Sequence, residues 1–256
     1  MFLPLGDDNR DRHTTPIVNY ILLALNIVAF VFWQDMGNSI PVTFGYSTVP
    51  AEILQGRDIV TNSKLIENPV TGENILMPGL QPTPIPVYLT LITSMFMHGG
   101  WAHLGGNMLF LWIFGDNLEH IMGHRRYLIF YLLCGVIASL AHVFSASFLN
   151  DSTLVPSLGA SGAISGVLGG YILLFPARRV SVWILFGIMS LPAFIVLGIW
   201  FVFQLVNGMG TLGGNEAAGG VAYAAHIGGF VAGLILVKLF RRRLTQIPQD
   251  RRTSWR

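Results

Sequence analysis

The stretch Leu158–Gly170, LGASGAISGVLGG, decides how this chain is read. One serine, Ser161, stands among glycines and alanines with no charge beside it, at the head of an apolar run. Gly162, Gly166 and Gly170 recur every four residues, a spacing that lets two helix backbones approach closely in lipid. Ser161 is therefore either a nucleophile at the start of a membrane helix or one more small packing residue. Residues elsewhere in the chain separate the two.

Composition places that serine in a membrane. Apolar residues make up 52% of the 256 and charged residues only 11%, against about 25% charged in soluble domains. The formal net charge of +2 is too small to suggest nucleic acid. The single cysteine, Cys134, excludes an intrachain disulfide, so the fold rests on helix packing. No cleavable signal peptide is read in the opening residues, MFLPLGDDNRDRHTT.

Since a helix needs about 20 mostly apolar residues to cross the hydrocarbon, the chain is read as six spans, an all-α bundle. They run over Ile17–Trp33, Ala102–Leu118, Tyr127–Phe148, Ser161–Phe175, Val180–Val206 and Ala217–Phe240. The fifth carries Pro192 and is long enough to tilt or kink. Residues 1–16 read as an N-terminal tail, 17–240 as the bundle and 241–256 as a basic C-terminal tail. Within the bundle, residues 34–95 read as a large first loop, rich in Pro, Gly, Asn and Thr, with an interfacial segment near its end.

Basic residues orient the bundle. With six spans, thirteen of the fifteen Lys and Arg fall on the side of both termini, and only Arg57 and Lys64 fall on the other. The positive-inside rule then puts both termini in the cytoplasm.

Polar groups inside spans are expensive and mark functional sites by default. His103 and Asn107 lie four apart on one face of span two, Ser161 opens span four, and His226 sits in the middle of span six. Asn107 is twelve residues above Glu119, Ser161 fifteen above Pro176 and His226 twelve above Lys238. At about 1.5 Å per residue these three lie roughly 18 to 22 Å above the cytoplasmic ends, at one level. On span six, Ala225, Gly229 and Gly233 repeat the small-residue spacing of span four. If these faces meet, Ser161 and His226 come within reach of each other.

A serine beside a histidine is the minimal activated nucleophile, the imidazole taking the hydroxyl proton and returning it to the leaving amine. The acids in or near the spans, Asp116, Glu119 and Glu216, lie toward span ends, so a Ser161/His226 dyad is expected rather than a triad. The candidates for stabilising the oxyanion are the Ser161 backbone N–H, the Asn107 amide and His103.

GASG at the fourth span, AH followed by GG and AG in the sixth, and HGGWAHLGGN entering the second resemble the rhomboid intramembrane serine proteases. The resemblance covers Val87–Phe240 in order, spacing and loop sidedness. It implies Ser161 as nucleophile, His226 as general base, and Asn107 and His103 in the oxyanion hole. It also implies transmembrane segments of other membrane proteins as substrates, cut near helix-destabilising residues, with no cofactor or metal. The chain departs from the family in two places. Ser165 occupies the position where some members carry an aromatic against the catalytic histidine, so support for His226 is sought in Tyr223 or Trp101, and the Trp-Arg pair of many first loops is absent.

Plainer readings stand beside these. His98 is a loop anchor or a catalytic group; His142, Asn19 and Asn26 read as interhelical hydrogen bonds; and Gly115, Asp116 and Glu119 with Arg125 and Arg126 read as a cytoplasmic cap and charge network. Span five and the glycine-rich loop Asn207–Glu216 suit a movable wall and lid for lateral substrate entry. The rival functions are a non-proteolytic relative that binds and routes client helices, and a transporter, for which no inverted repeat is found. A prokaryotic cytoplasmic membrane is expected, because no organelle-targeting segment is read.

Overall fold

The structure, a computed structural model, describes residues 2–67, 74–148, 153–184, 187–212 and 223–241. In chain order its elements begin with β1 (Phe2–Asp7), α1 (Ile17–Val28, prolonged by a π-helical turn Ala29–Trp33), α2 (Ile40–Gly45), α3 (Pro50–Gln55), β2 (Lys64–Glu67) and β3 (Asn74–Met77). They continue with α4 (Thr90–Thr93), α5 (Trp101–Met122), α6 (His124–Phe148), α7 (Ser161–Leu174), β4 (Arg179–Ile184), β5 (Gly187–Pro192), α8 (Ala193–Leu212) and α9 (Tyr223–Phe240). Six of these helices, α1 and α5 to α9, fall where the six apolar runs were read. Among the described residues, α6 and α9 are long and apolar enough to cross a membrane by length and composition, and α1, α7 and α8 give shorter apolar stretches. The basic tail beyond Arg241 lies outside the described residues. So do residues 213–222, which hold the end of the lid loop and the start of the sixth apolar run.

Helix α7 stands at the centre, packed against α5, α6 and α9. Every residue from Gly162 to Tyr171 is buried, as expected of a helix that is apolar or small on all sides. Around it Phe114, Leu118, Tyr127, Phe130, Tyr131 and Val237 close the core.

Two expectations are corrected. The chain is mostly helical but not all-α. Residues Val180–Pro192, read as the first half of span five, form an antiparallel β4–β5 hairpin, and β1 pairs with β4 to complete a three-stranded sheet. Val180 and Val182 are buried, Ser181 between them is half-buried, and Arg179 and Trp183 on either side are exposed. That alternation has the period of a strand, but its mean hydropathy merges with that of α8, which hides the boundary. Pro192 ends β5 rather than kinking a helix.

The N-terminal segment is likewise no free tail, because Phe2–Asp7 is a sheet strand. Its polar end is tied to the helix ends: Asp7 Oδ2 accepts from Asn117 Nδ2 at 2.9 Å and from the Tyr171 hydroxyl. Arg178 Nη1 donates to Asp8 O at 2.7 Å and to Asn117 Oδ1 at 2.6 Å. Burial raises the Asp7 carboxyl above its ordinary range, against the opposing pull of Tyr171 and Arg178.

The loop over residues 34–95 is built as well. Its α3 places Glu52 inside, where Oε1 accepts the Ile59 N–H at 3.2 Å and Oε2 accepts the Thr83 hydroxyl at 3.3 Å. The bridge between Thr48 and Ser157 ties this loop to the segment leading into α7.

Candidate active site

The two small-residue faces meet. A Cβ built on Gly229 would lie 2.1 Å from the Gly162 carbonyl oxygen, and one on Gly233 would lie 1.9 Å from that of Gly166. The backbones of α7 and α9 are thus in direct contact, which only glycine permits at these positions. Gly169, outside the expected face, makes a third such contact, 2.1 Å from the Phe230 oxygen, while Gly170 faces Leu118, Phe130 and Val237. This close approach leaves His226 Nε2 2.8 Å from Ser161 Oγ.

Helix α5 supplies the opposite wall. Asn107 is buried, and its Nδ2 has no hydrogen-bond acceptor among the described residues. His103 Nδ1 accepts a long contact from the Gly99 N–H at 3.4 Å, which leaves the ring proton on Nε2 as a donor. Both donors converge on Gly159, two residues before Ser161. A Cβ there would lie 2.7 Å from His103 Nε2 and 3.6 Å from Asn107 Nδ2. Gly159 holds φ +119°, a conformation open to glycine, and its N–H donates to Ser94 O at 2.8 Å. Unpaired donors facing the strand of chain that carries a hydroxyl are the arrangement an oxyanion needs.

The second ring nitrogen of His226 has a partner that the sequence reading missed. Nδ1 lies 2.8 Å from Gln204 Oε1 on α8. Gln204 is the one hydrogen-bonding amide in the apolar run Ala193–Val206. The rule that a polar residue within a span marks a site, applied to α8, would have found it. Trp200, one turn earlier, stands 6.2 Å from the His226 ring, and Tyr223 6.5 Å away at its edge. Trp101 does not support His226; it packs edge-on to Phe30 at 5.0 Å. Ser165, in place of an aromatic, donates back to Ser161 O at 2.6 Å within α7.

The remaining polar residues divide between structural tasks. His98 anchors the first loop through its backbone, its N–H donating to Gln34 Oε1 at 2.9 Å and its carbonyl accepting from Gln34 Nε2 at 2.8 Å. Its buried ring packs edge-on to His103, with centroids 5.2 Å apart. Asn19 does link helices, donating to Leu111 O at 3.0 Å and accepting from the Tyr127 hydroxyl at 2.8 Å. Asn26 instead donates within its own helix, to Leu22 O at 2.7 Å. Glu119 receives the Val18 and Asn19 N–H groups that open α1, at 2.9 and 2.7 Å, and contacts His124 Nδ1 at 2.5 Å. It is the anionic cap of that helix. Asp116 pairs with Arg12 at 3.3 Å, not with Arg125 or Arg126.

A helical bundle centred on a glycine-faced helix pair, with a serine and a histidine in hydrogen-bond contact, defines a class that comparison with known proteins makes explicit. The Rhomboid domain model matches residues 86–243. The chain belongs to the rhomboid family, whose members are integral to membranes. It is 28% identical to Rhomboid protein 1, mitochondrial, of Saccharomyces cerevisiae over 84% of this chain and 51% of that protein. It is 33% identical to Rhomboid protease GluP of Bacillus subtilis over 83% of this chain and 35% of that protein. Rhomboid-like protein 11, chloroplastic, of Arabidopsis thaliana is 29% identical over 61% of this chain and 54% of its own length. The chain thus spans between about a third and about half of these relatives.

Proposed function

We propose that this protein is an intramembrane serine endopeptidase that hydrolyses peptide bonds in or near transmembrane segments of other membrane proteins. The observation that carries the reading is the 2.8 Å contact between His226 Nε2 and Ser161 Oγ, opposite the unpaired amide of Asn107. Ser161 attacks the scissile carbonyl as its proton passes to His226 Nε2. The developing oxyanion is received by Asn107 Nδ2, His103 Nε2–H and the Ser161 backbone N–H. Collapse expels the amine, which takes the proton from His226. Water deprotonated by the same nitrogen then hydrolyses the acyl-enzyme, restoring the Ser161 hydroxyl and releasing the acid.

The same reading makes α1 and α5 to α9 six spans with both termini cytoplasmic, because thirteen of fifteen basic residues then share one side. The sheet with Arg178 and Arg179 lies on the cytoplasmic side, and the 34–95 loop lies outside. Helix α8, whose Ile199, Val202, Phe203 and Val206 are exposed, is the wall that yields to a substrate helix. Its tether is a crosslink between α8 and α5, which abolishes cleavage of a membrane substrate if lateral entry is used. The host membrane in this reading is a prokaryotic cytoplasmic membrane.

The deciding experiment is cleavage of a tagged single-span reporter by purified protein in liposomes, comparing wild type with Ser161→Ala and His226→Ala. Cleavage by wild type alone supports the dyad. Reporter binding without cleavage in all three gives the client-binding alternative instead.

A further inference from the structure

The dyad leaves one question of chemistry open: what keeps the imidazole ready to accept a proton at Nε2. A neutral histidine has two tautomers, and only the one protonated at Nδ1 presents a lone pair to the Ser161 hydroxyl. In the serine hydrolases with three catalytic members, a carboxylate on the far nitrogen makes this choice. Here Asp116 and Glu119, on α5, are engaged with Arg12 and with the start of α1.

The far nitrogen instead meets an amide. His226 Nδ1 lies 2.8 Å from Gln204 Oε1, and an amide oxygen accepts only, so the contact requires the proton on Nδ1. Gln204 is 9% exposed, while Val202, Phe203, Leu205 and Val206 around it on α8 are all exposed. A buried amide on an apolar helix is unfavourable unless bonded. Its side-chain oxygen is bonded to His226. The neighbouring contacts hold the pair in register: Phe201 stacks on Phe230 with centroids 4.3 Å apart, and Trp200 lies beside His226.

We propose that Gln204 is a positioning residue for the reaction: its amide oxygen holds His226 in the Nδ1–H tautomer and fixes the ring against Ser161. The inference rests on the dyad reading. A neutral amide orients the ring without neutralising the imidazolium formed during attack, which distinguishes it from the carboxylate of a triad. It also makes the base dependent on α8. Ser161 and His226 are fixed to each other by the glycine contacts of α7 and α9, whereas the tautomer is fixed from a third helix. Displacement of α8 therefore disarms the base without separating the dyad.

The test combines kinetics with a spectroscopic readout that does not need turnover. Protein labelled with 15N-histidine reports the His226 tautomer from its ring nitrogen shifts, assigned by comparison with His226→Ala. Wild type is expected as the Nδ1–H form, and Gln204→Leu as a mixture or the Nε2–H form. Kinetically, Gln204→Leu is expected to lose about 10- to 100-fold in kcat with little change in KM, part of the 10²–10⁴ that general base catalysis supplies. Gln204→Glu, which keeps an acceptor oxygen at the same reach, is expected to retain more kcat than the leucine variant. A wild-type spectrum of the Nε2–H form overturns the proposal whatever the activity. So does a leucine variant with wild-type kcat while Ser161→Ala is dead, or a glutamate variant no better than leucine; in these cases the dyad reading stands. If wild type and Ser161→Ala are equally inactive, the dyad reading fails, and the tautomer in wild type and Gln204→Leu still decides whether Gln204 sets the ring.

Discussion

Replacing Gly233 with alanine tests whether helix contact is what assembles the site. The new methyl would stand 1.9 Å from the Gly166 carbonyl oxygen, 2.7 Å from its carbon and 2.8 Å from its Cα. All three atoms are backbone, so no side chain can rotate away. A carbon and an oxygen need about 3.2 Å, so α7 and α9 must separate locally by about 1.3 Å, the kind of overpacking that destabilises by roughly 1–3 kcal/mol. Ser161 lies five residues from Gly166 and His226 seven from Gly233, on the same two helices. If half of that separation reaches them, the present 2.8 Å contact lengthens to about 3.5 Å, the limit of a hydrogen bond. Misplacement on that scale costs on the order of 10²-fold in rate. The control is Gly198→Ala on α8, where a Cβ meets nothing within 4 Å and alanine favours the helix by up to about 1 kcal/mol. Reporter cleavage and unfolding midpoint in the same detergent are measured for both. The reasoning is refuted if Gly233→Ala and Gly198→Ala are indistinguishable in the two assays.

Gly159→Ala is expected to fold but to lose about 10²–10³ in kcat, the scale of one lost oxyanion donor, because its methyl would drive His103 Nε2 away from 2.7 Å and force a φ of +119° on alanine; kinetics with an unfolding control check it. In the first loop, burial raises the Glu52 carboxyl above its ordinary value, helped by Asp58 beside it. The native state then binds more protons than the unfolded one between the unfolded and folded pKa, so stability falls as pH rises through that window. The destabilisation is complete above the folded value and absent below the unfolded one. Glu52→Gln keeps an oxygen for the Ile59 N–H, and is expected to raise the melting temperature at pH 8 and to leave it nearly unchanged at pH 4. A gain of equal size at both pH values contradicts the account.

The parts of this structure that were legible in the sequence are those set by helical period and by polar residues in apolar runs. The four-residue spacing of Gly162 and Gly166 against Ala225, Gly229 and Gly233 led to the meeting of α7 and α9, and with it to Ser161 facing His226. Asn107 and His103 share one face of α5 for the same reason, and both arrive at Gly159. Hydropathy failed where two periods share one composition. The run from Val180 to Val206 is continuous in apolarity, yet its first half forms a hairpin, of which β4 alone alternates in burial, and its second turns as a helix. Nor could the polar string DDNRD declare itself part of the sheet edge, since its partners Asn117, Tyr171 and Arg178 are more than 100 residues away.

Gln204 shows a different limit. Its own position was a signal, but its role depends on which way α8 turns and on which helix lies alongside, and neither follows from local pattern. Ser165 stands where some members of the family carry an aromatic, bonded back to the Ser161 carbonyl, and of the two residues in which support for His226 was sought, Tyr223 lies at the ring's edge and Trp101 does not reach it. The structure moves the support across to α8, with Trp200 beside the ring and Gln204 on Nδ1. Ser165 is buried within α7, and the His226 ring is contacted instead from a helix whose Trp200 and Phe201 lie against Phe230 of α9. In the proposed reading the α7–α9 pair sets the distance between serine and histidine, and the partly exposed α8 sets the state of the histidine. Distance and protonation state are then separable by mutation: Gly233→Ala should disturb the first and Gln204→Leu the second.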